Sequence, residues 1–310
     1  MKNKFIKILL ILLISLIFSS RVFADDFNFT VKELEVYENG NLIKGINGGT
    51  VTTNNGDIII TANNFEYNKL TNILIAKGNV KLVDLIENIT IKSNEVHYLK
   101  NVEVVFTIGV SEAFNNIDIE IYADDYFRYN KSTSLLEARG NVVINDLASN
   151  SSIKSNEVFY LKNEDKFYTK GKTKAFVSQE YTVNTSDLIF LRKKGLLSSG
   201  YKTTIEDTLD NFYTLSEFEY SLINKILKGN NIELITNFLK PKSETFFFKT
   251  GFFDLINSKF IAKDVKITFD KMMYDNEEND PRATGITGSG DEYNTYLNKG
   301  SFTTCKKTDK

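Results

Sequence analysis

Few side chains in this sequence could do covalent chemistry. Histidine occurs once, as His97, cysteine once, as Cys305, and tryptophan not at all. That leaves no ligand set for zinc and no Cys-His or Ser-His couple with a choice of bases. His97 stands between Val96 and Tyr98 in an alternating run, so it points away from their face and reads as a surface residue. The acidic pairs and runs, Asp124-Asp125 and Asp275 to Asp280, lack the ligand spacing of a calcium loop. Gly288-Ser289-Gly290 is too short to cradle a phosphate. No catalytic residue, metal site or cofactor is expected, and the chain does not read as an enzyme.

The remaining pattern is apolar and periodic. Ser93 to Asn101 reads SNEVHYLKN and Ser155 to Asn163 reads SNEVFYLKN, eight of nine identical at an offset of 62. Half that offset is the repeat. Tyr67, Tyr98, Tyr129 and Tyr160 stand 31 apart, as do Gly78, Gly109, Gly140 and Gly171. With slight drift the aromatic series continues through Phe190 and Tyr220, so that six units cover residues 58–236. Each unit places an apolar residue two before its aromatic: Phe65, Val96, Phe127, Val158, Leu188 and Phe218. Positions i and i+2 share a strand face, so these twelve residues make one interior stripe, most simply the core of a repeat protein.

Elements of a definite kind must carry such a stripe. A turn-like cluster follows each pair and a second alternating run follows the turn, which is a hairpin. The glycine sits near the middle of that second run, where it marks a bulge or bend. A single hairpin buries too little alone, so the units must pair edge to edge. The expected fold is all-β: an elongated antiparallel β jelly roll, or solenoid-like stack of hairpins, with an apolar interior. Composition agrees, with 24 Phe and 15 Tyr against 2 Pro in 310 residues. Ser216 to Lys228 and the aromatic patch Phe246 to Phe253 have less clear periods and are read as strands.

At the N-terminus Lys2, Lys4 and Lys7 precede an apolar run from Ile8 to Phe18, and Val22-Phe23-Ala24 offers small residues for cleavage, so residues 1–24 are expected to be a signal peptide. The mature chain would begin at Asp25 and carry 34 basic against 40 acidic residues, a net charge of −6. That balance argues against sequence-independent nucleic-acid binding. The β domain is expected over 25–270. Glycines at 285, 288, 290 and 300 make 271–310 read as a linker.

The stretch ADDYFRYNKSTSLLEARGNVVIND, Ala123 to Asp146, resembles the strand repeats of periplasmic OstA-like lipopolysaccharide-transport domains. Such repeats are shared by the N-terminal domain of the outer-membrane assembly family LptD and by the related bridge family LptA. Asn298, Gly300, Ser301, Phe302, Thr303, Thr304 and Cys305 resemble the run that joins the LptD periplasmic domain to its barrel. The barrel itself does not follow in these 310 residues, and the cysteine frequent near the mature N-terminus of that family is absent. The resemblance implies a domain in the periplasm or at the outer membrane that shelters lipopolysaccharide acyl chains, with the twelve residues of the interior stripe, Phe65 through Tyr220, as the lipid-contacting surface. It implies a bridge protein paired to an edge strand around Phe27 to Tyr37, an outer-membrane β-barrel with its plug lipoprotein as further partners, and a disulfide from Cys305 to a cysteine outside this chain. The alternatives are a self-contained LptA-like bridge and a structural or adhesive β-repeat without lipid.

Overall fold

The computed structural model describes residues 27–115, 118–240, 242–274, 278–291 and 293–306. The leader expected over 1–24 lies outside them. The described chain is all-β, with 24 strands joined by antiparallel pairing into one continuous sheet and connected by short turns and 3-10 segments. Each pass pairs with the pass before it and the pass after it. Leu42–Thr53 pairs with Phe27–Tyr37 and then with Ile58–Ala62 and Asn64–Asn68. Ile73–Asp84 pairs with Ile89–Leu99, and so on to Arg282–Gly290.

Every pass is bent near its middle. The ladder register slips between Lys77 and Val80, between Arg139 and Val142, and between Ser155 and Glu157. The extra residues of a bulge turn the strand while keeping its apolar positions on one side: Ala76 and Val80, like Ala138 and Val142, are all buried. Gly78, Gly109, Gly140 and Gly171 sit at these bends with φ between 77° and 85°. Gly140 shows why the residue is small: a Cβ there would lie 2.7 Å from the Asp125 backbone nitrogen.

Backbone groups that the bend removes from the ladder are recovered by buried hydroxyls. Ser111 Oγ donates to Thr107 Oγ1 at 2.7 Å, and Thr107 Oγ1 accepts the Phe127 N–H at 2.7 Å. The arrangement recurs 62 residues on, where Thr169 and Thr173 hydroxyls meet at 2.6 Å and Thr169 accepts the Leu188 N–H at 2.9 Å.

Bending folds the sheet into two layers. Phe27 precedes its bend and Tyr67 follows its own, yet their rings meet edge to face at 4.8 Å. Tyr181 and Tyr220, again from opposite layers, meet at 5.7 Å. One hydrophobic cluster runs between the layers from Phe27 to Ala283.

The structure moves the C-terminal boundary. Arg282–Gly290 continues the sheet by pairing with Lys259–Thr268, and Thr295–Asn298 and Ser301–Thr303 follow on its other edge. The stretch expected to be a linker, 271–310, thus contains three strands, Arg282–Gly290, Thr295–Asn298 and Ser301–Thr303. Its glycines carried no hydrophobic signal because small residues are what fit there: a Cβ on Gly288 would meet Val265 Cγ2 at 2.8 Å. The two segments of unclear period are strands, within Glu217–Ser221, Ile226–Thr236 and Glu244–Asp254.

The stripe tyrosines also hold the hairpin turns. Tyr67 Oη donates to Asn72 Oδ1 at 2.8 Å, Tyr98 to Glu103, and Tyr160 to Asp165 at 3.1 Å, always five residues ahead. Asn72, Glu103, Ser134 and Asp165 all close their turns with φ between 48° and 55°. Ser134 is too short to repeat the bond, and the buried Tyr129 hydroxyl has no partner among the described residues. At Phe190, which has no hydroxyl, the fifth residue is Gly195.

Two outcomes follow for stability. Ser134→Asn should supply the missing acceptor in a backbone conformation asparagine tolerates, raising unfolding free energy by about 1 kcal/mol in urea denaturation, whereas the reverse change at the exposed turn residue Asn150, Asn150→Ser, should not raise it. Burial pushes the Tyr98, Tyr129, Tyr160 and Tyr220 hydroxyls well above the ordinary phenol range, with Glu103 and Asp165 adding to the rise at Tyr98 and Tyr160. The fold therefore favours the neutral phenol. Stability should be intact below the unfolded pKa of about 10 and fall as pH rises above it. Tyrosinate absorbance should then appear in two stages, the second coinciding with loss of β-sheet circular dichroism.

Candidate functional site

The twelve stripe residues are brought together on one side of the sheet, facing the opposite layer. Phe65, Tyr67, Val96, Tyr98, Phe127, Tyr129, Val158, Tyr160, Leu188, Phe190, Phe218 and Tyr220 are all buried. They are also closely packed. Tyr160 stacks on Phe167 at 4.2 Å, and the space beside Phe218 and Tyr220 amounts to only about 20 Å³. In this state the stripe is core, and no acyl chain fits among it without parting the layers.

What keeps the layers together is visible along their free rims. Hairpin turns of one layer face hairpin turns of the other, and ion pairs join them. Lys131 lies 3.0 Å from Asp84, off the hydrogen-bond direction, and Lys162 Nζ donates to Glu87 at 2.6 Å. Arg192 reaches across to Asp118 and to Asp146 at 3.0 Å while holding Asp165 of its own rim at 3.5 Å, and Lys225 reaches Glu180 at 2.8 Å. Lys131, Lys162 and Arg192 recur at close to the repeat spacing, so the lacing is as periodic as the stripe. Beyond Lys225 the ion pairs stay within one rim, as Lys240–Asp210 at 3.3 Å and Arg282–Asp280 at 3.5 Å.

Where the lacing stops, the layers part around a cavity of about 790 Å³. Its floor is aromatic: Phe246 and Phe248 from one layer, Phe253 and Phe260 from the other, with Tyr213 at the inner end. Phe248 packs against Phe253 at 5.6 Å and Phe260 at 5.4 Å. Phe246 and Phe260 are half-buried, so they present ring surface to the opening. The mouth is polar, with Lys240 and Lys259 beside Asp207, Asp254 and Asp291. Glu244, partly buried there, has its carboxyl pushed up by burial and by Asp270. An apolar floor below a charged mouth suits an amphiphile.

None of the twelve stripe residues lines this cavity. The signal that marks it in the sequence is the dense aromatic patch Phe246 to Phe253, which breaks the repeat because its rings pack across an opening rather than along a filled row. No family model matches the chain, and no curated protein matches it. His97 faces outward and pairs with Glu95 at 2.7 Å, a contact that lowers the Glu95 carboxyl. Cys305 is exposed, its carbonyl accepting from Arg282 at 2.7 Å. Among the described residues there is no cluster of metal-ligating side chains, and no helix is long and apolar enough to cross a membrane.

The first strand shows a second opening of the interior. Val36 lies opposite the buried Ile43, and Leu34 opposite Gly45, which puts both on the inner face. They are nonetheless 57% and 51% exposed.

Arg192 is the most connected member of the lacing, only 18% exposed and serving three carboxylates. Arg192→Ala leaves those carboxylates together without their cation, and should cost about 3 kcal/mol in equilibrium unfolding. It should also raise binding of a hydrophobic dye, because the rims part. A loss below about 1 kcal/mol would mean that solvent already serves these carboxylates.

Proposed function

We propose that the chain is an exported, non-enzymatic lipid-carrying domain that shelters the acyl chains of lipopolysaccharide and passes them to an outer-membrane barrel, as the LptD-like resemblance implies. The observation that carries this reading is the cavity with an aromatic floor and a lysine-bearing mouth between the unlaced rims. Each methylene buried there is worth about 0.8 kcal/mol, so several acyl segments could hold a lipid against water without any covalent step. The packed stripe is then scaffold. Lipid would have to part the rims to travel further along the interior.

Direction would come from outside the chain, since a passive apolar path favours neither end. The inner-face residues Leu34 and Val36 support entry at the first strand, where a bridge protein adding a strand would extend the interior and cover them. The cavity rim includes Asn294 and Thr295, at the start of the C-terminal strands that lead to Cys305. An exit at this cavity would lie beside the segment that resembles the junction to a barrel, which supports the junction reading over a free-standing bridge.

Photocrosslinking in exported protein tests the proposal. A photoreactive residue at Phe246 or Phe260 should form an adduct with lipopolysaccharide, and one at Tyr129 should not. Adducts at all three positions would restore a conduit through the whole interior in place of a terminal cavity. A probe that is active yet gives no lipid adduct at Phe246 and Phe260 would leave a structural β-repeat as the better reading.

A further inference from the structure

The outer face follows a rule of its own. Residues directly opposite on neighbouring strands carry opposite charges: Lys44 and Glu66 at 3.3 Å, Lys77 and Glu95 at 3.3 Å, Arg139 and Glu157 at 3.1 Å, Lys228 and Glu219 at 2.9 Å. Two places break the rule. At one, Lys81 lies opposite Lys92, but Glu112 pairs with Lys92 from the other side at 3.8 Å. At the other, Lys154 lies directly opposite Lys174, and no carboxylate lies opposite either lysine. Like charges so placed destabilise a sheet unless something neutralises them.

The repeat makes the comparison direct. Sixty-two residues earlier the equivalent positions are Lys92 and Glu112, which pair at 3.8 Å. A groove of about 340 Å³ runs there, lined by Asn79, Lys92, Asn94, Val110 and Glu112 among others. The later copy is a groove of about 680 Å³ in which Asn141, Lys154 and Asn156 are retained, Val110 is replaced by Lys172 and Glu112 by Lys174, and Lys202 is added. Lys81, opposite Lys92 in the earlier copy, is Val143 in the later one. Four exposed lysines thus line the later groove with no carboxylate among its lining residues, and none of the four makes an ion pair among the described residues. Lys154 and Lys174 both rest over the Phe176 ring, at 5.7 and 4.9 Å.

We propose that this groove binds the anionic saccharide part of a glycolipid, a sugar chain bearing phosphate or carboxylate groups. The class of ligand rests on the lipid-carrying reading, while the site itself rests on the charge pattern. The lining residues come from five adjacent passes, a run of about 19 Å at the usual strand spacing, which suits a chain better than a single ion. The amides of Asn141, Asn156 and Asn184 and the hydroxyl of Thr204 can meet sugar hydroxyls between the charges. No aromatic ring lines the groove for base stacking, which disfavours single-stranded nucleic acid. Lys154 and Lys174 alternate along their strands with the buried Ile153 and Ala175, so a sugar chain here would run outside the wall whose inside faces the apolar core.

The test uses the mature chain and its Lys174→Glu variant, which recreates the opposite-charge pair of the earlier copy and should fold with unchanged or higher Tm. Calorimetric titration with deacylated, phosphorylated oligosaccharide prepared from lipopolysaccharide should show binding that weakens at least about tenfold in the variant, the size expected for losing a charged contact and gaining a repulsive one. Enzymatic dephosphorylation of the same oligosaccharide should weaken binding to a similar degree. Equal binding by wild type and variant would overturn the proposal. So would inorganic phosphate competing at equal molar concentration, which would mark an adventitious ion only, or an oligonucleotide of equal charge binding as tightly. Lipid adducts at Phe260 should survive in Lys174→Glu, so the two sites fail separately. Saccharide binding without lipid adducts would uphold the groove and remove the acyl cavity, and adducts without saccharide binding would do the reverse.

Discussion

A hairpin whose strands are eleven or twelve residues long has an apolar face on each arm and nothing of its own to cover it. Stacking hairpins edge to edge extends that face without hiding it. The only partner available is the other half of the same strands, and the bend at each bulge brings the two halves face to face. Everything else depends on this. The stripe is buried because the sheet is folded over it, the hydroxyl pairs at Thr107–Ser111 and Thr169–Thr173 exist because the bend strands backbone groups, and the left-handed glycines exist because the chain must turn there.

A sheet folded once has a closed side and an open side. The bends form the closed side, and the open side would let water reach the core were the rims not tied. Ion pairs between long side chains span the rims, and their spacing follows the repeat because each turn presents the same positions. Such ties hold only while both partners are present. Past Lys225 the cations find partners within their own rim, and the layers separate over Phe246, Phe248, Phe253 and Phe260. The cavity is therefore a consequence of where the lacing ends as much as of which residues line it.

The two faces of the wall work under different physics. Inside, water is excluded and volume decides what fits, so the repeat conserves size: Phe, Tyr, Val and Leu return at the same positions. Outside, charges are screened and cheap to exchange, so the repeat varies them freely, and Glu112 can become Lys174 with no change in backbone. Variation of that kind on a fixed scaffold is how one copy of a groove can acquire a ligand that its neighbour lacks.

The all-β class, the hairpin unit, the bend positions and the buried stripe were legible in the sequence, because each is a local matter of strand alternation and backbone conformation repeated six times. Period-two spacing puts Phe65 and Tyr67 on one side wherever the chain goes. The end of the domain was not legible: Gly285 and Gly288 look like linker until Val265 and Leu297 are seen packed against them. Nor was the distinction between core and cavity. Alternation says which residues point inward but not how far apart the layers stand, and that distance is set by contacts across 46 to 75 residues, such as Arg192 with Asp118 and Asp146 or Lys162 with Glu87. Tertiary structure alone decided that the tyrosine stripe is filled and that the aromatic patch near the C-terminal end is open, because volume between two layers is a property of neither strand.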